Sequence, residues 1–109
     1  MKEIKAIIRP ERLTEVLQAL HKLPQLPGVT VSHVRGFGRR VPADADGEVF
    51  AAVDMTKLEI VVPEPIADEI VTTIERAAHT GRPGDGKIFT SVVDAAVHVR
   101  SGERNLGAL

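Results

Sequence analysis

Twice in this chain an apolar strand-like run meets a proline that opens an amphipathic helix: "AIIRPERL" at residues 6–13 and "EIVVPEPI" at residues 59–66. A central strand cannot continue through proline, whereas proline's fixed φ suits a helix's first turn, so each junction dictates strand, then helix. In the first half Ile4, Ala6 and Ile8 alternate onto one face. Leu13, Val16, Leu17 and Leu20 then recur at i, i+3, i+4 and i+7. In the second half "KLEIVV", residues 57–62, is followed by a stripe of Ile66, Ile70, Val71, Ile74 and Ala78. Asp68 and Glu69 lie toward that helix's positive end, and Gly81 stops it. "LPQLPG" closes the first helix, and the β-branched "VTVSHVR", residues 29–35, reads as a second strand. "KIFTSVV", residues 87–93, reads as a fourth, followed by a short extended piece and a mobile tail at 101–109. The order βαββαβ predicts an α+β, ferredoxin-like fold, an antiparallel sheet with two helices on one face. A length of 109 residues suits a single domain over 1–109. The sheet's uncovered face reads as largely aliphatic, which predicts self-association through it.

Composition removes several function classes. Fourteen basic residues against fifteen acidic ones leave a formal charge of −1, unlike the basic face of a nucleic-acid binder. The βαββαβ order is shared with RNA-binding domains that stack bases on aromatic strand residues. Here "TVSHV" and "IFTSV" carry one Phe, and the chain has no Tyr or Trp. With no cysteine, disulfides, thiolate metal sites and thiol nucleophiles are excluded. Ser32, Ser91 and Ser101 have no recognisable base and orienting partner, which argues against a hydrolase. No secretory signal or membrane-length apolar run is visible, so a cytoplasmic protein without membrane insertion is expected.

Three stretches carry candidate chemistry. "RGFGRR", residues 35–40, places Gly36 and Gly38 where backbone N–H groups can converge on an anion, beside the planar forks of Arg39 and Arg40. "TGRPGDGKIF", residues 80–89, flanks Asp85 with Gly84 and Gly86 and follows with Lys87. It is not a Walker loop, because the spacing is absent and a strand follows it. "HVRSGER" offers His98 and Arg100, two apart and so on one strand face. Each stretch alone also fits a glycine-kinked strand end or a solvated edge. Together they pair open backbone with cations three times over in a chain with no net positive charge. The ends of strands two and four need not adjoin within one subunit, so an oligomer is expected to bring them together.

With these motifs in order, the chain resembles the PII signal-transduction family along nearly its whole length. "MKEIKAIIRPERL", "VTVSHVRGFGR", "EIVVPEP", "TGRPGDGKIF" and "VRSGER" carry the resemblance. It implies a non-enzymatic homotrimer binding ADP or ATP in clefts between subunits. A long loop after strand two, here about 39–56, would control a regulated partner. Carried over residue by residue, Gly36, Phe37, Gly38 and Arg39 would approach phosphates, with Arg40 adjoining, as would Gly84, Asp85, Gly86 and Lys87. Thr30 and Val61 would lie by base and ribose. His98 and Arg100 would close the cage, Arg100 from the neighbouring subunit.

The departures from the family pattern are specific. Arg40 replaces the glutamine that helps hold Mg²⁺ and 2-oxoglutarate. Met55 stands where a 2-oxoglutarate lysine is expected, with Lys57 offset, so 2-oxoglutarate sensing does not carry over. His98 replaces the first of two arginines, and being shorter should weaken ATP relative to ADP or AMP. The loop is shorter than usual, acidic at "ADADGE", and lacks the modified tyrosine. These features resemble a divergent branch associated with transporters, so a membrane transporter is the expected partner class. A metal- or bicarbonate-responsive protein linked to metal efflux or inorganic carbon transport is the alternative. His21, His33, His79 and His98 are available to it as metal ligands, with Asp44, Asp46 and Glu48 alternating in the loop, but no two histidines have helical ligand spacing.

Overall fold

The computed structural model describes residues 1–40 and 49–109. β1 (Lys2–Ile8) leads through a short 3₁₀ turn at Pro10–Arg12 into α1 (Leu13–His21). β2 (Thr30–Arg40) and β3 (Val49–Val62) follow, then α2 (Glu64–Ala78) and β4 (Gly86–Val92). The sheet order is β2-β3-β1-β4 with every neighbouring pair antiparallel, the ferredoxin-like arrangement. Both proline junctions form as the sequence requires: Pro10 opens the turn before α1, and Pro63 precedes α2.

The core lies between the sheet and the helices. Ile4, Ala6 and Ile8 of β1 and Leu58, Ile60 and Val62 of β3 face Val16 and Leu20 of α1 and Ala67, Ile70, Ile74 and Ala78 of α2. Each fully buried Ile or Leu side chain stabilises by about 1.5–3 kcal/mol. Ile66 and Val71 pack partly buried at the margin, while Ala67 takes the inner position. The Arg12 guanidinium donates to the Ala77 carbonyl at 2.6 and 3.0 Å, satisfying a carbonyl of α2's last turn. Among the described residues no helix is long and apolar enough to cross a membrane.

Three expectations change. The uncovered sheet face is mixed rather than aliphatic. The strand period that turns Ile4, Ala6 and Ile8 inward turns Glu3, Lys5 and Ile7 outward, opposite Val61, Glu59 and Lys57. Lys57 pairs with Glu59 at 3.3 Å on that face. Strands two and three also run well past their expected ends at 35 and 57. Residues 34–40 pair with 49–55 alone, beyond the reach of β1, as a two-stranded ribbon. Cross-strand partners support this stretch: Phe37 stacks on Phe50 at 6.0 Å, and Arg35 meets Asp54 at 3.5 Å. Only residues 41–48 of the expected loop lie outside the described residues. Finally, the tail is folded. His98 N donates to Glu103 O and Asn105 N to Ala96 O, both at 2.8 Å, and residues Asn105–Ala108 close as a 3₁₀ turn. Gly102 at φ 75° and Asn105 at φ 56° supply the left-handed positions this reversal needs.

Candidate functional site

β1 stops at Ile8, but β3 reaches beyond it as one side of the ribbon, and the loop before β4 passes its other side. Between them, over Ile7, lies a concavity of about 670 Å³. One wall is Gly36, Phe37, Gly38 and Arg39 with Val53 and Met55. The other is Arg82, Gly84, Asp85, Gly86 and Lys87 with Phe89. Its size is that of a small-molecule site. The two glycine-rich segments thus meet within one chain, with no second subunit needed, because both overhang the short strand β1.

The loop is built around one carboxylate. Asp85 accepts hydrogen bonds from the Thr80 hydroxyl, from the Thr80 and Gly81 amides at 2.8 and 2.9 Å, and from Arg9 Nε at 2.8 Å. The Thr80 hydroxyl first, then Arg9 and the amides, hold its pKa far below the ordinary carboxylate range, so it stays ionised. Arg9 also donates Nη2 to the Pro83 carbonyl at 2.6 Å, tying the end of β1 to the loop. Gly81, Gly84 and Gly86 all take positive φ, 83°, 95° and 103°. At Gly86 a Cβ would lie 1.8 Å from the Ile7 carbonyl oxygen, so only glycine lets β4 start here. Asp85, expected to face a ligand, instead has its carboxylate occupied in holding the loop's shape.

The remaining expected residues lie elsewhere. Thr30 and Val61 line a separate concavity of about 390 Å³ with Glu3, Gly28, Glu59 and the chain's own Ala108 and Leu109. The His98 ring sits in the C-terminal turn, where its Nδ1 accepts from the Ser101 amide at 3.2 Å, so the proton of the neutral ring is on Nε2. Arg100 is exposed on the same turn. Neither lines the larger concavity. Met55 contributes an apolar wall where a lysine was sought, and Lys57 is directed to Glu59. The Arg40 side chain and Asp44, Asp46 and Glu48 lie outside the described residues. Among the described residues no three His, Asp or Glu side chains converge on a metal position.

Sequence reasoning passed over Arg9, Thr80 and Arg82. Thr80 carried a local signal, a hydroxyl residue five positions before an aspartate in a glycine-rich turn. Arg9 carried none, since its partner lies 76 positions away.

The family model described as nitrogen regulatory protein P-II matches residues 1–103. Nitrogen regulatory protein P-II 2 of Methanothermobacter thermautotrophicus is 47% identical over 108 residues, covering 94% of this chain and 92% of its own. Nitrogen regulatory protein P-II of Synechocystis sp. is 43% identical, and P-II 1 of Escherichia coli 40% identical, each over 116 aligned positions covering both chains fully. The family match over residues 1–103 and this level of identity across nearly the whole chain make one conclusion: the chain belongs to the nitrogen regulatory protein P-II family.

Proposed function

We propose that this chain is a non-enzymatic cytoplasmic regulator that binds ADP or ATP over Ile7 and signals through the segment at about 39–56 to a partner, a membrane transporter. The observation that carries this reading is the meeting of residues 36–39 with residues 84–87 around one concavity of about 670 Å³. Glycine backbone and Lys87 are the chemistry that a chain of phosphates needs. Thr30 and Val61 lie apart from this cradle, and His98 and Arg100 lie on another turn. In a homotrimer a neighbouring protomer would bring its own copies of these residues against the cradle, Thr30 and Val61 beside the nucleoside and Arg100 beside the phosphates. Mixed charge on the open sheet face, with Lys5 opposite Glu59, supplies complementary groups for that contact. A few charged hydrogen bonds of about 1.5–3 kcal/mol each are enough for micromolar binding after association costs.

Two measurements test the reading. Sedimentation equilibrium should return three protomers, and calorimetry should detect heat with ADP or ATP at micromolar to millimolar ligand. A monomer, or no heat with ATP, ADP or AMP, defeats the proposal.

A further inference from the structure

Arg82 lines the concavity and belongs to neither the expected phosphate contacts nor the scaffold of the loop. Its neighbour in charge, Arg9, is fully engaged by Asp85 and the Pro83 carbonyl, and is mostly buried. The Arg82 guanidinium is two-thirds exposed, with Nη2 only at 4.0 Å from Glu11 Oε1. That same oxygen is 3.9 Å from Arg9 Nη1. Glu11 is therefore shared between two arginines, and it keeps a cationic partner if Arg82 turns away. The Arg82 backbone is fixed, because its amide donates to Thr80 Oγ1 at 3.2 Å inside the turn that Asp85 organises. A fixed backbone with a long, loosely held side chain at the rim of a cationic pocket is suited to reach an anion entering from outside.

We infer that Arg82 is a phosphate ligand supplied by the chain's own loop, resting on Glu11 and transferring to the terminal phosphate of a bound nucleoside di- or triphosphate. It makes the site read phosphate number. The inference rests on the nucleotide-binding reading and deepens it. The floor of the site, glycine backbone and Lys87, is at fixed depth and serves the inner phosphates. Arg82 serves only a phosphate chain long enough to reach the rim. The guanidinium fork matches two phosphate oxygens, where the Glu11 contact is long and lies in solvent. A cation at this position also offsets the shorter His98, whose Nδ1 is occupied by Ser101.

The test is calorimetry of wild type, Arg82→Gln and Glu11→Gln with ATP, ADP and AMP, with circular dichroism to confirm unchanged folding of these surface variants. Arg82→Gln should weaken ATP about tenfold and leave AMP within about twofold, the loss of one exposed charged contact. Glu11→Gln should tighten ATP about two- to fivefold by removing the competing carboxylate. Equal losses for all three nucleotides, or no loss with ATP, would overturn the role of Arg82 while leaving nucleotide binding intact. Wild type that binds none of the three would overturn the underlying reading and this inference with it.

Discussion

Gly86→Ala is the sharpest test of how the loop and sheet join. Gly86 is the register partner of Ile8, at φ 103°, and a Cβ there would lie 1.8 Å from the Ile7 oxygen and 2.8 Å from its carbonyl carbon. Those atoms are backbone of the central strand β1, so no side-chain rotation relieves the collision. Holding alanine at this φ costs about 1–3 kcal/mol. Moving β4 away from β1 would forfeit at least one ladder hydrogen bond, about 0.5–1.5 kcal/mol, and loosen Ile88 against the core. The expected loss is about 3 kcal/mol, a large part of a typical domain's stability and about 10–20 °C in Tm. Gly102→Ala is the matched control. It has φ 75° but nothing within 4 Å of an added Cβ, so it should lose only about 1 kcal/mol of backbone strain. Urea unfolding of both variants at one protomer concentration, with unchanged m values, separates strain from collision. If Gly86→Ala were no worse than Gly102→Ala, the close approach of β4 to Ile7, and with it the shape of the cradle, would be refuted.

Other perturbations follow from the same contacts. Asp85 has a folded-state pKa below its unfolded value, so it stabilises the protein above about pH 4, and that contribution fades as pH falls further. Thermal melts of Asp85→Asn should therefore show a shallower loss of Tm on acidification than wild type, from a lower starting value at pH 7. Arg12→Ala removes both donors to the Ala77 carbonyl and should cost about 1–2 kcal/mol in urea, with hydrogen exchange accelerated at the end of α2. Ile74→Ala empties a fully buried position between α2 and the sheet and should cost about 2–5 kcal/mol. A double-mutant cycle on Phe37 and Phe50 should return about 0.5 kcal/mol of coupling, at the low end for aromatic pairs because both rings are exposed.

The halves of the fold that bury a face were legible in the sequence, and the parts that bury none were not. Ile4, Ala6 and Ile8 had to alternate, and the stripe of α2 had to recur at helical spacing, because each covers the other. The ribbon has no such pattern to show. Gly36 and Gly38 depress strand propensity, and residues 49–55 are strand only because residues 34–40 lie opposite them. The open face was misread for a related reason: apolar residues in β1 and β3 belong to the helix side, and their charged alternates face outward. The tail was misread because its reversal depends on Gly102, Asn105 and the His98 ring acting on one another across a few residues, not on any periodicity.

The candidate site divides along the same line. Glycines beside cations could be recognised as residue types, but their meeting depends on strand lengths. Had β1 continued beyond Ile8, it would run through the space that residues 36–39 and 84–87 now enclose. Arg9 and Pro10 end the strand where the cradle must begin, and the same Arg9 reaches across to fix Asp85. One residue therefore both follows the end of the strand and orders the loop beside it. That coupling gives a physical reason for the cradle to be formed before any ligand arrives. It leaves the ribbon, held by a single strand pair beyond β1, as the element whose position the proposed ligand would bias at least cost.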